Sequence, residues 1–465
     1  MGKPTAPVAA ESVATDASTT SRRQQRSALA VAMLGFAVVT LDAQITNVAL
    51  PSIREAIGGD LAGLQWVVTG YTLMFSALLL FGGSVADRIG SHTAYRNGML
   101  LFIAASLACG LAPSLPLLVI ARLVQGIGAA LVTPTALSLI REAFADNTAR
   151  AKAIAYWGVG GSVAAAAGPI LGGLLTQVDW RLIFFINLPV GLVALAVLRG
   201  VAESPRRATP IDWPGQIAAV VALASLTFGL IEGGSRGFGS PPVIVALVVA
   251  VLALGAFLRI QATSPHPMVP LTLFRARPVA ISLSIAFLTM VGFYGVVFLQ
   301  SLYFQQQRGY SALATGLLFL PMTGMVAITS ALWARIGPRF MRRSAIAAGQ
   351  LGMAAGLVAL AAVPSTAPVW LVAILMVLVG VGGGITVPPI AALILETVPG
   401  ALAGTASGVL NTFRQMGGSL GVAVFGAVVN AAAVFSAGLR TSYLATALLL
   451  IVAVLFTLRL RGDRA

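Results

Sequence analysis

The chain has 465 residues, of which 58% are hydrophobic and 9% charged, with a formal net charge of +15. A soluble domain carries roughly 25% charged residues, so this balance excludes a soluble globular fold and points to a bilayer as the solvent. The basic residues are dealt out loop by loop and not gathered on one arm, which excludes nucleic acid as a partner. Cys109 is a single cysteine and cannot form an internal disulfide, and His92 and His266 alone cannot assemble a metal site.

Residues 1–26 are rich in Ala, Ser and Thr without an apolar core, and read as a disordered cytoplasmic tail. Apolar runs long enough to cross a bilayer, which takes ~20 helical residues, follow at about 27–50, 64–84, 95–112, 115–140, 152–175, 181–200, 214–232, 241–261, 278–304, 312–333, 343–363, 367–392, 403–430 and 440–460. Lipid offers backbone groups no partner, so the spans must be helices, and the expected class is an all-α membrane protein with fourteen transmembrane helices. With both termini inside, 22 of the 29 Lys and Arg fall in cytoplasmic segments, among them Arg207, Arg339, Arg459, Arg461 and Arg464. Only Arg54, Arg181, Arg236, Arg308 and Arg440 fall outside, which satisfies the positive-inside rule.

The first span closes on "LDAQITNVALP", residues 41–51, which sets an aspartate, a glutamine and an asparagine in hydrocarbon. Asp42 lies ~12 Å below the outer boundary, and Arg122, in the fourth span, ~10 Å below it, so the opposite charges share a depth. A lone charge inside a span costs roughly 2.5–3.5 kcal/mol on insertion scales, so each needs a partner or a wet cavity. Two roles fit the pair. Asp42 can take up and release a proton beside a cavity that opens to either side, which is what coupled transport needs, or the pair can be a permanent structural pin between spans one and four. Gln44 and Asn47, beside it, are expected to line the substrate cavity.

After the second span, Gly83 and Gly90 bracket Asp87 and Arg88 in "GSVADRIGSHTAYR", a hinge or an ordinary charged turn. Asp87 could rest on the N-terminus of the thirteenth span near Leu402 and lock the outward-open state. The fifth span carries small residues at Gly158, Gly161, Ser162, Ala165, Gly168 and Gly172, with Pro169 as a point of bending or simply of close packing. The ninth span offers Phe287, Met290, Tyr294 and Phe298 at steps of three and four, either a wall for lipophilic solutes or core packing. Arg414 stands ~16 Å inside the thirteenth span with no acid nearby in its half, so it is expected to face the cavity or pair across the halves.

The chain also repeats itself. "GIGAALVTPTALSLIREAF" at 126–144 aligns with "GVGGGITVPPIAALILETV" at 380–398, placing Gly126 over Gly380, Gly128 over Gly382 and Glu142 over Glu396. A weaker echo of 85–98 lies at 333–344. The organisation is therefore a tail (1–26), a six-helix bundle (27–200), a linker with two extra helices (201–277), a second six-helix bundle (278–460) and a short tail (461–465). Two parallel repeats suggest a midplane cavity between bodies that rock.

With "LDAQITNVALP", "GSVADRIGSHTAYR", "ARLVQGIGAALVTP" and "GVGGSVAAAAGPILGG" in this order, the chain resembles the major facilitator superfamily, and within it the fourteen-helix drug:proton antiporter branch of methylenomycin-resistance type. The resemblance implies the major facilitator fold and proton-coupled efflux of lipophilic small molecules by alternating access. It also implies coupling roles for Asp42 and Arg122, and conformational roles for Gly83, Asp87, Arg88 and Gly90 and for Gly168, Pro169, Gly172 and Gly173. The chain departs from the pattern at Gln44, where threonine is usual, and at Ser91 and His92, where a basic pair is usual. Partners are then a small-molecule substrate, protons and the bilayer of the inner membrane, with the chain acting as a monomer and without cofactor. A symporter or metabolite permease on the same scaffold is the nearest alternative, favoured by a more polar cavity than this one. A polytopic enzyme would cluster His, Asp, Glu, Cys or Ser near one interface, and this chain does not.

Overall fold

The computed structural model describes residues 8–206, 210–336, 341–399 and 402–458, with side chains from Arg22 onward apart from positions 334 and 336. Arg207, Arg339, Arg459, Arg461, Arg464 and the tail 461–465 lie outside the described residues. Regular structure among those described is all helical: α1 (Val8–Ile57), α2 (Leu61–Ile89), α3 (Ser91–Gly110), α4 (Leu115–Ala143), α5 (Asn147–Val178), α6 (Leu182–Phe185), α7 (Asn187–Leu198), α8 (Trp213–Arg236), α9 (Pro241–Thr263), α10 (Arg277–Leu302), α11 (Ala312–Ile336), α12 (Arg342–Ala362), α13 (Val369–Thr397), α14 (Ala403–Ala431) and α15 (Phe435–Leu458). Eleven of the helices are long and apolar enough to cross a membrane by length and composition.

The stretch expected as a disordered tail is instead continuous with α1 from Val8 onward. Extending a helix from an already formed end adds one hydrogen bond per residue fixed, whereas starting a new one is costly. The chain from 182 to 198 is broken into α6 and α7, because Pro189 has no N–H with which to continue the helix through the break. Acidic residues set three helix starts: Asp60 accepts from the Gly63 amide at 2.8 Å, Asp146 from Ala149 at 2.7 Å and Asp212 from Gly215 at 2.9 Å. Gly90 separates α2 from α3 with φ +89°, where a side chain would be strained and would also press on the Ser204 carbonyl at 2.9 Å.

Helices α1–α7 form one bundle and α10–α15 a second, while the α8–α9 hairpin lies against α2 and α14. The repeat seen in the sequence recurs in the packing. A Cβ at Gly126 would collide with the Tyr71 carbonyl of α2, and one at Gly128 would stand 2.7 Å from the Phe102 amide of α3. In the second bundle Gly380 abuts the Met322 carbonyl of α11 and Gly382 the Gly349 carbonyl of α12. Each half thus uses two glycines, two residues apart, to bring one helix onto two neighbours.

The halves meet through α1 with α10, α2 with α14, and α5 with α11. Contact is tight where α1 and α10 end. Gln65 of α2 donates to the Val422 and Ala423 carbonyls of α14 at 3.1 and 2.9 Å, and Ser301 of α10 donates to the Asn47 carbonyl of α1 at 2.6 Å. Gln305, just after α10, donates to the Val48 carbonyl at 2.9 Å. Residues 41–51, 289–302 and 417–423 are buried without interruption, whereas Asn411–Met416 of α14 stay partly accessible. The bundles are therefore sealed together at one end and looser toward the other.

Candidate functional site

Helix α1 carries Asp42 into the middle of the first bundle, and α4, drawn onto α2 and α3 by its glycines, carries Arg122 to the same level. Both side chains are fully buried, and Arg122 Nη1 forms an ion pair with Asp42 Oδ2. The guanidinium also donates through Nε to the Val67 carbonyl at 2.9 Å and through Nη1 to Gln125 Oε1 at 2.7 Å. Its plane lies over the Tyr71 ring, 4.4 Å from the centroid, with Phe184 at 5.7 Å. Such stacking holds a desolvated cation where no further acceptor reaches it, and Arg122 Nη2 has no hydrogen-bond partner among the described residues.

The carboxylate is held as closely. Asp42 Oδ1 accepts from Gln125 Nε2 at 2.9 Å and from Asn187 Nδ2 at 2.7 Å. Ser106 Oγ accepts from the same two amides at 2.7 and 3.3 Å, tying α3 into the network. Cys109, one turn further, approaches Gln125 Oε1 at 3.6 Å. Five helices of the first bundle, α1, α2, α3, α4 and α7, thus converge on one acid and one base. Sequence reasoning named the charges but not Gln125, Ser106, Asn187 or Tyr71. Gln125 was within reach of it, being three residues from Arg122 and so on the same helix face. Asn187 carries no such signal except the helix break that lets it point inward.

The expectation that Asp42 stands beside an opening cavity does not describe this conformation. Every partner of the carboxylate belongs to the first bundle, and no solvent reaches it. Asn47 and Gln44 are also enclosed: Asn47 lies in the sealed seam, and Gln44 Cβ stands 2.6 Å from the place of a Cβ at Gly168. Phe298, expected on a cavity wall, is fully buried in the core, and Tyr294 packs edge-on against Phe293 at 5.7 Å and faces Gly418. Met290 and Tyr294 of this stripe lie against Gly417 and Gly418 of α14, so in this conformation they serve helix–helix packing. Arg414 remains partly accessible, with Nη1 3.3 Å from Asn411 Oδ1 and Nε without a partner among the described residues.

The two glycine-bearing motifs resolve into contacts. Gly168 and Gly172 face α1, where a Cβ on the latter would stand 2.8 Å from the Ile45 carbonyl, whereas Gly173 faces the second bundle, where a Cβ would stand 2.5 Å from the Ala312 carbonyl. A Cβ at Gly316 of α11 would collide with the Pro169 carbonyl, so the two backbones touch across the seam. At the end of α2, Asp87 and Arg88 are exposed. The close approach there belongs to Gly82, which abuts the Ala130 carbonyl, and not to Gly83, which has nothing within 4 Å. Ser91 donates to Glu142 at 2.6 Å and Ser204 donates to the other oxygen of the same carboxylate, while the His92 amide donates to Ser204 at 3.0 Å. The two residues that depart from the family pattern thus tie the α2–α3 turn to α4 and to the linker.

Removing Gln125 tests the network directly. Gln125→Leu keeps the volume but deletes hydrogen bonds to a buried ion pair, each worth about 1.5–3 kcal/mol. The expected result is a loss of roughly 2–3 kcal/mol, read as a lower midpoint for unfolding of the purified protein in detergent.

The model of the Major Facilitator Superfamily matches residues 32–422. The methylenomycin A resistance protein of Streptomyces coelicolor is 36% identical over 416 residues, covering 89% of this chain and 88% of that protein. The multidrug resistance protein Stp of Mycobacterium tuberculosis is 38% identical over 414 residues, covering 88% of this chain and 76% of that one. Among solved structures, a D-xylose-proton symporter superposes with a TM-score of 0.68 at 16% identity, over 94% of this chain and 98% of that chain, which bears on the fold alone. Helical bundles paired through glycine-lined seams, a buried charge pair at mid-helix and these matches across the chain have one account: the protein is a member of the major facilitator superfamily.

Proposed function

We propose that this chain is a proton-coupled exporter of lipophilic small molecules that works by alternating access. Its relatives over nearly the whole length are named for resistance to antibiotics and drugs. The observation that carries the coupling is Asp42, the one acidic side chain fully buried among the described residues, held by a network that spans five helices. A buried acid that exchanges its guanidinium for a proton can relay a change of protonation to every helix it holds. The membrane potential supplies about 2.3 kcal/mol per charge per 100 mV, which suffices without a nucleotide site.

In this reading the chain crosses the inner membrane fourteen times with both termini cytoplasmic. The broken α6–α7 segment, α3 and α14 complete the eleven clearly apolar spans. Helix α14 owes its polarity to Asn411, Arg414 and Gln415, and α3 owes its own to His92, Arg96 and Asn97. The bundles 27–200 and 278–460 are the moving bodies, and the extra pair in 201–277 rides on their seam. The distribution of basic loops supports a sealed end on the outside, which makes this conformation the inward-facing one. Asn411 and Arg414 then border the cytoplasmic opening, where Arg414 meets the solute. Asp87, Arg88 and Gly90 hold the alternate, outward-facing state, and a single copy suffices.

The deciding experiment follows the pH gradient in everted vesicles energised by respiration. Adding a transported compound is expected to release protons and partly collapse the gradient, in vesicles that carry this protein and not in those that lack it. Uptake of the compound with protons in the same direction would replace the exporter by a symporter.

A further inference from the structure

A cavity of about 460 Å³ lies away from the charge network, between the α8–α9 hairpin, the segment leading into α10, and the α2–α14 seam. Its mouth is formed by Leu254 and Leu258 of α9, which are 51% and 46% exposed on the outer face of that helix. Its floor is Ser76 of α2 and Ala222 of α8, both buried. The walls are aromatic and come from separate elements: Phe274 and Phe413 stand 6.1 Å apart at 44° to each other, and Phe257 joins them from α9. Ser76 spends its hydroxyl on the Leu73 carbonyl of its own helix. Thr412 Oγ1, without a hydrogen-bond partner among the described residues, is buried behind the lining, so the cavity surface is apolar.

The size falls within the roughly 300–1,000 Å³ of small-molecule sites, which are typically apolar with a few placed polar groups. The lining offers an occupant aliphatic carbons and ring faces and almost no polar surface. A saturated acyl chain would fill the volume but gains nothing from tilted ring faces. A neutral aromatic molecule fills the volume and also stacks on the Phe274 and Phe413 rings. We propose that this cavity is a loading site for neutral, aromatic, lipophilic solutes that enter from the bilayer beside α9 and come to rest on the α2–α14 seam. Because α2 and α14 belong to different bundles, rocking would reshape the site and pass its occupant toward the centre. This use of the site rests on the exporter reading, whereas binding itself does not.

Benzophenone is a suitable probe: neutral, aromatic and able to crosslink to neighbouring C–H bonds on illumination. The full chain in proteoliposomes, without any gradient, should be labelled saturably within 268–274 and 409–416. Ala222→Phe, which fills the floor, should cut that labelling at least about fivefold. Phe413→Leu, which keeps an apolar wall and removes one ring face, should raise the half-saturating concentration about fivefold. Labelling that rises linearly, as at the exposed α9 residues Val245, Val251 and Leu252, would overturn the proposal, as would saturable labelling unchanged in both variants. Labelling seen in detergent and lost in proteoliposomes would assign the cavity to an acyl chain and overturn it equally. Saturable binding in a protein that exports nothing would instead count against the exporter reading alone.

Discussion

Asp42→Asn is expected to abolish proton-driven export, by roughly two orders of magnitude, while the protein still inserts and folds. The asparagine keeps the shape of the carboxyl but cannot cycle a proton, and it leaves the Arg122 charge buried without its counter-ion. Removing one member of a buried pair typically costs about 3–5 kcal/mol, so the single variant alone cannot separate coupling from structure. The pair of Asp42→Asn with Arg122→Gln does. Both charges are then gone, and neutral amides can bond to each other and to Gln125 and Asn187, so most of the lost stability should return. If the ion pair is only a pin between α1 and α4, export should return with it. The expected outcome is recovery of the unfolding midpoint without recovery of compound-induced proton release in everted vesicles. Restored release in the double variant would end the coupling assignment. Because Asp42 is enclosed here, the assignment also requires that the first bundle open the network in its other conformation. Asparagine in place of Asp42 should therefore shift the balance between conformations as well as stop the proton.

How far the sequence carried the reading depended on whether the deciding physics was local. Charges in hydrocarbon are costly wherever they point, so Asp42, Arg122 and Arg414 stood out at once, and the rise per residue was enough to put the first two at one depth. The glycine pairs at 126 and 128 and at 380 and 382 were legible because the chain states them twice. Direction around a helix axis was not legible. Nothing local to the stretch 41–51 says that Asp42 faces α3, α4 and α7 and that the Asn47 backbone carbonyl meets α10, although five residues separate them. The same ambiguity explains Phe298, whose place on an apolar stripe suited a wall as well as a core. It also explains the shift from Gly83 to Gly82, since a one-residue step turns a helix by about 100° and exchanges a neighbouring backbone for open space. Asn187 needed knowledge of a helix break and of a partner 145 residues away.

Gly173→Leu should trap the halves apart at the sealed end and depress export about tenfold or more. Gly173 meets α11 where Ala312 O and Leu313 Cα stand 2.5 and 2.6 Å from the place of its missing Cβ, and Gly316 answers it against Pro169. A leucine there has no room while the seam is closed, and overpacking typically costs about 1–3 kcal/mol. That cost is felt only in the sealed state, so it becomes a shift of roughly 5–150-fold in the balance between sealed and open. A reporter cysteine at the seam reads the shift: Ser301→Cys is buried in the sealed form, where residue 301 contacts the Asn47 carbonyl. Its reaction with a membrane-impermeant maleimide from that side should accelerate by the same factor when Gly173→Leu is added. Gly168→Leu is the matched control, because it clashes with Gln44 inside the first bundle and not across the seam. It should lower the unfolding midpoint and leave the maleimide rate of the surviving folded protein unchanged. Equal acceleration by both leucines would mean that α5 responds as one packed rod, and that the division of its glycines between an inner face and a seam face has no mechanical meaning.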